Sequence, residues 1–302
     1  MPHTITVGLD GSPESLAAAD WAAREALLRE VPLRLVHAGE LPLHAYIPFA
    51  GEAVPPPGAD RSAHLLREVG TALRHRHPEL RVTADRIAGQ PAAALTAAAE
   101  EAGLLVIGSR GIGRVAGFIV GSVALAVLAR AERPVVLVRT GGRAEDEHLP
   151  DATGTPSSAL PRREVVLGLD LVDPDDAVME FAFDAARRRA AVLRVVHGWS
   201  VPPSYGDEDA LDTGLDAGPA VRERRGPADV LEQWKDKFPD VEVRTQSVVG
   251  GAGAHLVDAS REAALVVVGR RIRRAPVGSH IGPVTHEVLH HASAPVAVIP
   301  HD

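Results

Sequence analysis

The chain has 302 residues, 45% of them hydrophobic and 24% charged, which suits two globular domains, each large enough for a core of its own. Its formal net charge of −8 argues against a general nucleic-acid binder, which needs a basic surface, and fits a local positive pocket for one anionic ligand. No cysteine is present, which excludes disulfides, thiolate metal sites and cysteine nucleophiles.

The start, MPHTITVGLDGS, has no basic segment followed by an apolar one, so no signal peptide is expected and the protein reads as cytoplasmic. In the first half, strands are predicted at 4–9, 33–38, 80–87, 104–108 and 134–139. Helices are predicted at 14–30, 60–76, 91–102 and 121–131, with Ser12-Pro13 and Gln90-Pro91 as N-terminal starts. The segment 39–58, with five prolines, and its counterpart 198–218 read as long loops. The runs 104–108 and 134–138 are apolar throughout, as in parallel strands covered on both faces. The apolar stretch between Arg114 and Arg130 is about 15 residues, short of the roughly 20 needed to span a bilayer, so no membrane partner is expected. Alternating strands and helices predict a doubly wound α/β fold.

The chain repeats itself. VGLDGS (7–12) recurs as LGLDLV (167–172), LRLVHAG (33–39) as LRVVHGW (193–199), LLVIGSR (104–110) as VVVGRR (266–271), and ERPVVLVR (132–139) as SAPVAVIP (293–300). Asp10 maps to Asp170 and His37 to His197 at an offset of 160; Gly108 maps to Gly269 and Pro134 to Pro295 at 161. This predicts a duplicated domain, 1–140 and 163–302, joined by a linker at 141–162 that is rich in Gly, Pro, Ser, Thr and charge.

After the fourth strand, glycines recur at Gly108, Gly111 and Gly121, the last followed by Ser122. Glycine lets backbone N–H groups approach a phosphate, and Ser122 is expected as the N-cap of the following helix, whose N–H groups favour anions. Arg110 and Arg114 add positive charge. If the strand ending at Asp10 lies beside the strand ending at Gly108, acid and loop meet in one crevice at the topological switch point.

This G-x-x-G-x(9)-G-[ST] loop, with V-G-L-D-G-S in strand one and V-H in strand two, resembles the nucleotide signature of the universal stress protein family, and the likeness spans both halves. The resemblance implies two tandem five-stranded parallel-sheet domains of the adenine nucleotide alpha hydrolase type, strand order 3-2-1-4-5. It implies ATP, with or without Mg²⁺, in the crevice and adenine near Asp10 and Ala38. The implied first site comprises Gly8, Leu9, Asp10, Ala38, Ile107, Gly108, Ser109, Arg110, Gly111, Arg114, Gly121, Ser122 and Val123. It also implies fifth strands that pair across a homodimer or a pseudo-dimer within the chain.

The second half departs from this pattern. Ile272 stands at the second loop glycine, Pro283 at the hydroxyl position, and Leu171-Val172 replace Gly11-Ser12. Isoleucine crowds the backbone, and proline lacks an N–H. Arg270, Arg271, Arg273 and Arg274 make this loop basic. A second site at Gly168, Asp170, Gly198, Gly269, Arg270, Arg271, Gly282 and Val284 is therefore a candidate whose nucleotide binding the residues leave open. Asp173, Asp175 and Asp176 read as caps and dipole partners of a helix.

His286-Glu287-Val288-Leu289-His290 matches H-E-x-x-H, but its repeat partner is LAVLA (125–129) and Ser293 stands where the extended motif needs glycine. A packing helix, not a metal site, is expected there, with His291 and His301 at the surface. Walker A, G-x-S-x-G and strand-one G-x-G-x-x-G patterns are absent, and no general base flanks the loop, so no catalytic residue is assigned. The resulting reading is an ATP-binding sensor or regulator in stress or dormancy; a slow ATP-hydrolysing or phosphotransfer enzyme and a nucleotide-independent interaction module are the alternatives.

Overall fold

Ser12 sets the first helix. Its side chain accepts from the Ser15 N–H, and Pro13, whose missing N–H costs nothing at a helix start, is the first helical residue. The computed structural model describes residues 4–39, 59–109, 120–171, 173–199, 229–249, 251–272 and 281–302. The chain divides into two units, Met1–Gly142 and Arg143–Asp302.

In the first unit the elements run β1 (Ile5–Gly8), α1 (Pro13–Arg29), β2 (Leu33–Gly39), α2 (Ala59–Arg76), β3 (Val82–Ala88), α3 (Pro91–Glu100), β4 (Leu104–Gly108), α4 (Ser122–Arg130) and β5 (Val135–Val138). All pairings are parallel and the strand order is β3-β2-β1-β4-β5. The layers follow from this order. Helix α1 packs beside α2 and α3 beside α4, as right-handed crossovers on either side of β1 require. With both faces covered, β4 and β5 are buried nearly end to end, which explains their unbroken apolar runs.

The second unit repeats the plan: β6 (Glu164–Gly168), α5 (Asp176–Arg189), β7 (Leu193–Trp199), α6 (229–237), β8 (Val243–Val249), α7 (Ala252–Ala259), β9 (Ala263–Arg271), α8 (Pro283–His291) and β10 (Val296–His301). Its order is β8-β7-β6-β9-β10, again parallel. The duplication extends to backbone detail. Both first helices end on a left-handed non-glycine residue, Glu30 at φ 56° and Ala190 at φ 47°. An aromatic cluster of Phe183 on α5, Trp234 on α6 and Phe238 just beyond it ties the two helices together.

Residues 143–162, expected as a linker from composition, fold onto the second unit. A short 3₁₀ turn (Glu145–Glu147) leads to antiparallel bridges His148–Arg162 and Pro150–Pro156. The polar residues that suggested a linker close this excursion: Asp151 Oδ1 accepts from Thr153 N at 2.8 Å and Thr155 N at 3.1 Å. The Arg163 guanidinium donates to the Arg261 carbonyl at 2.9 Å, tying the segment to its unit. Of the two expected long loops, residues 40–58 and 200–218 lie outside the described residues. Among those described, no helix is long and apolar enough to cross a membrane.

Candidate functional site

In both units the sheet reverses order beside its first strand, between β1 and β4 and between β6 and β9, which opens a crevice beyond their carboxyl ends. The described residues among those predicted for the two sites lie at these strand ends or at the helix starts beside them. Arg110, Gly111, Arg114, Val172, Arg273 and Arg274 lie outside the described residues.

In the first unit, the buried Leu9 N–H donates to Val36 O at 2.8 Å, which carries β1 one residue past Gly8. Asp10 follows. Its Oδ1 accepts from the Ser12 amide at 2.9 Å and the Ser12 hydroxyl at 2.5 Å. Burial pushes the Asp10 carboxyl up, but these bonds, with Ser15 and its own amide, outweigh it and hold the group below the usual carboxylate range. Asp10 is therefore an ionised acceptor at neutral pH. Beneath it, the His37 Nδ1–H donates to Leu9 O at 2.8 Å, and Ala38 pairs in register with Ile87 on β3.

At the end of β4, Ile107 is buried and Ser109 N–H donates to Val138 O at 2.8 Å. Ser109 is 2% exposed and its hydroxyl has no hydrogen-bond partner among the described residues. Gly108 has a structural duty that the spacing did not reveal. A Cβ there would sit 2.6 Å from Glu14 C and 2.8 Å from Ser15 N, the backbone of the first turn of α1. Its lack of a side chain admits a helix against the strand end, whatever it admits in the crevice.

The expected N-cap is corrected by one residue. Gly121, at φ −61° and ψ 152°, is the N-cap, and Ser122 is the exposed first residue of α4 with Val123 next. Among the described residues, no side chain caps this helix. Because β4 and β5 are parallel, α4 starts at the same end of the sheet as Gly108, Ser109 and Asp10.

The second unit keeps the frame and changes the contents. The His197 Nδ1–H donates to Leu169 O at 3.0 Å, repeating His37 and Leu9. Helix α5 starts late: by the 160-residue offset, Pro13 falls on Asp173, yet α5 begins at Asp176 with Asp175 as N-cap, accepting from Ala177 N and Val178 N. Strand β9 runs on where β4 stops, so that Arg271 pairs with His301 of β10 and Ile272 N–H donates to His301 O at 2.6 Å. With a branched residue where glycine would permit a turn, the chain stays extended. His301, expected at the surface, is carried inward and its side chain is 13% exposed. A Cβ at Gly269 would meet His301 Nε2 at 2.8 Å and Val178 at 3.3 Å, not helix backbone.

The lost helical turn leaves a cavity of about 310 Å³. Gly168, Asp170, Gly198, Gly269 and Val284 of the predicted second site line it. Arg270, Arg271 and Gly282 are not among its lining residues: Arg270 is buried, and Arg271 forms an ion pair with Asp173 at the cavity rim. Sequence reasoning missed Asp173, Asp175, Thr285 and His301 as lining residues. The acids carried a signal, D-P-D-D before a helix, that reads first as capping. His301 carried none.

On α8 the His286 and His290 rings are 4.3 Å apart between centroids. Among the described residues, no group of three or more histidine or acidic side chains is placed to hold a metal ion.

A model of the universal stress protein family matches residues 1–139 and again residues 161–300. The chain belongs to the universal stress protein family. Two Mycobacterium tuberculosis universal stress proteins agree over nearly full length. Rv2005c is 31% identical over 303 residues, covering 98% of this chain and 96% of the relative. Rv2623 is 32% identical over 307 residues, covering 97% and 95%. A solved universal stress protein from Archaeoglobus fulgidus matches the whole of both chains with a TM-score of 0.64 at 16% identity, a likeness of fold. The match falls twice on this universal stress protein chain, once on each parallel-sheet unit.

Proposed function

We propose that the first unit binds ATP, with or without Mg²⁺, and that the protein serves as a cytoplasmic nucleotide-dependent regulator in stress or dormancy responses. The observation that carries this reading is a pair of bare polar ends at one end of the sheet. Among the described residues, the buried Ser109 hydroxyl has no partner and α4 opens without a side-chain cap. Between them runs the glycine-spaced segment 110–119. Unsatisfied donors at a helix start attract phosphate oxygens. Asp10, ionised, accepts N–H or O–H donors of the base or sugar, with Ala38 beside it. Residues Gly8 to Asp10 and Ala38 form the base end of this site; Ile107 to Arg110, Gly111, Arg114 and Gly121 to Val123 form the phosphate end. Homodimerisation belongs to the same reading and is checked by light scattering.

Calorimetric titration of ATP into wild type and Gly121→Val tests it. The backbone at Gly121 lies in a region open to valine, so the substitution puts a branched side chain at the helix start, and circular dichroism checks that the fold is retained. Affinity is expected to fall at least about tenfold, or about 1.4 kcal/mol. Equal affinities refute the assignment.

A further inference from the structure

We propose that the cavity of the second unit takes an uncharged nucleoside and discriminates against its phosphorylated forms. This rests on the reading of the first crevice as an adenine-nucleotide site, since the duplication places Asp170 and Gly198 where Asp10 and Ala38 stand. The volume, about 310 Å³, lies at the low end of ligand pockets, with room for a base and sugar. Val178, Met179, Leu256 and Val268 supply apolar wall for a ring. Asp170 offers an acceptor to hydroxyl or amino donors.

The phosphate end is what changed. Pro283 opens α8 and contributes no N–H, and Ile272 holds the chain extended beside β10. Among the described residues the rim carries three carboxylates, Asp170, Asp173 and Asp175, and the Arg271 guanidinium is already engaged with Asp173. A polyphosphate entering here meets these like charges, which is discrimination by repulsion. A nucleoside meets acceptors.

The test uses the full chain. Adenosine and ATP are titrated calorimetrically into Gly121→Val, in which the first phosphate end is blocked, and into the same chain with Asp173→Asn and Asp175→Asn added. Asparagine keeps the α5 cap, and loss of the Asp173 charge frees Arg271. Adenosine is expected to bind Gly121→Val at least tenfold tighter than ATP, and the two asparagines are expected to shrink that ratio at least tenfold. ATP binding as tightly as adenosine, absence of adenosine binding, or a ratio unmoved by the asparagines overturns the proposal. A second measurement leaves Gly121 intact: ATP stoichiometry is expected to rise from one to two per chain when both asparagines are present, and an unchanged value counts against it. Failure of wild type to bind ATP refutes the function proposed for the first unit and leaves the adenosine result standing, so the two failures are distinct.

Discussion

Gly108→Ala probes a contact that only the folded chain creates. The added Cβ would stand 2.6 Å from Glu14 C, 2.7 Å from Glu14 O and 2.8 Å from Ser15 N. Carbon contacts are comfortable at about 3.5–4.0 Å, so the first turn of α1 must withdraw by about 1 Å. These are backbone atoms, pinned by the Ser12 cap, and no side-chain rotation relieves the clash. Overpacking of this kind costs about 1–3 kcal/mol, and the rigid neighbour places this case near 3. The reduced freedom of alanine in the unfolded chain returns about 0.4–1 kcal/mol, leaving a net loss of about 2 kcal/mol. For a unit of this size, that lowers the melting temperature by about 4–8 °C. The assay is differential scanning calorimetry without nucleotide, following the first unit's transition. Gly142→Ala is the control, because a Cβ there meets nothing within 4 Å. If Gly108→Ala melts within about 1 °C of that control, the close approach of α1 does not constrain this position and the reasoning fails.

Ser12→Ala removes both the α1 cap and the two bonds to Asp10, and is expected to lower the first unit's stability by about 1 kcal/mol in urea denaturation. Since the native Asp10 pKa is depressed, its charge favours the folded state above the unfolded value of about 3.9, and this contribution is lost as pH falls through the lower native value. The stability gap between wild type and Asp10→Asn should therefore be present at pH 7 and narrow below about pH 4, as denaturation at several pH values will read; a gap independent of pH contradicts the assignment. In the second unit, Phe183 is fully buried with its ring 5.8 Å from Trp234 and 5.4 Å from Phe238. Phe183→Ala is expected to cost about 3–5 kcal/mol, followed by tryptophan fluorescence. Lys237→Ala, which removes a cation 4.7 Å above the Trp234 ring, should cost no more than about 1 kcal/mol.

Much of the fold was legible because its signals are local or periodic. The unbroken apolar runs of β4 and β5 announce strands covered on both faces, and both are buried as expected. Ser12-Pro13 announces a helix start through bonds that reach only three residues. The helix after the glycine-spaced loop begins one residue earlier than a serine cap implies, because Gly121 already supplies the extended backbone a cap requires. The turns inside the linking segment were not legible, because Gly, Pro, Thr and Asp mark turns as readily as tethers, and only long-range partners such as the Arg261 carbonyl distinguish the two.

By itself the sequence determined the duplication and most of the strand and helix content, while the order of the parallel sheets came from the family resemblance. The duplication and the elements follow from periodicity, caps or a constant offset, all of which are properties of neighbours along the chain. Tertiary structure alone decided what Gly108 accommodates, that β9 outruns β4, that His301 turns inward, and that the late start of α5 leaves a cavity in the half with the altered loop. These depend on atoms from strands and helices far apart in sequence competing for the same few ångströms, a competition that no local pattern records.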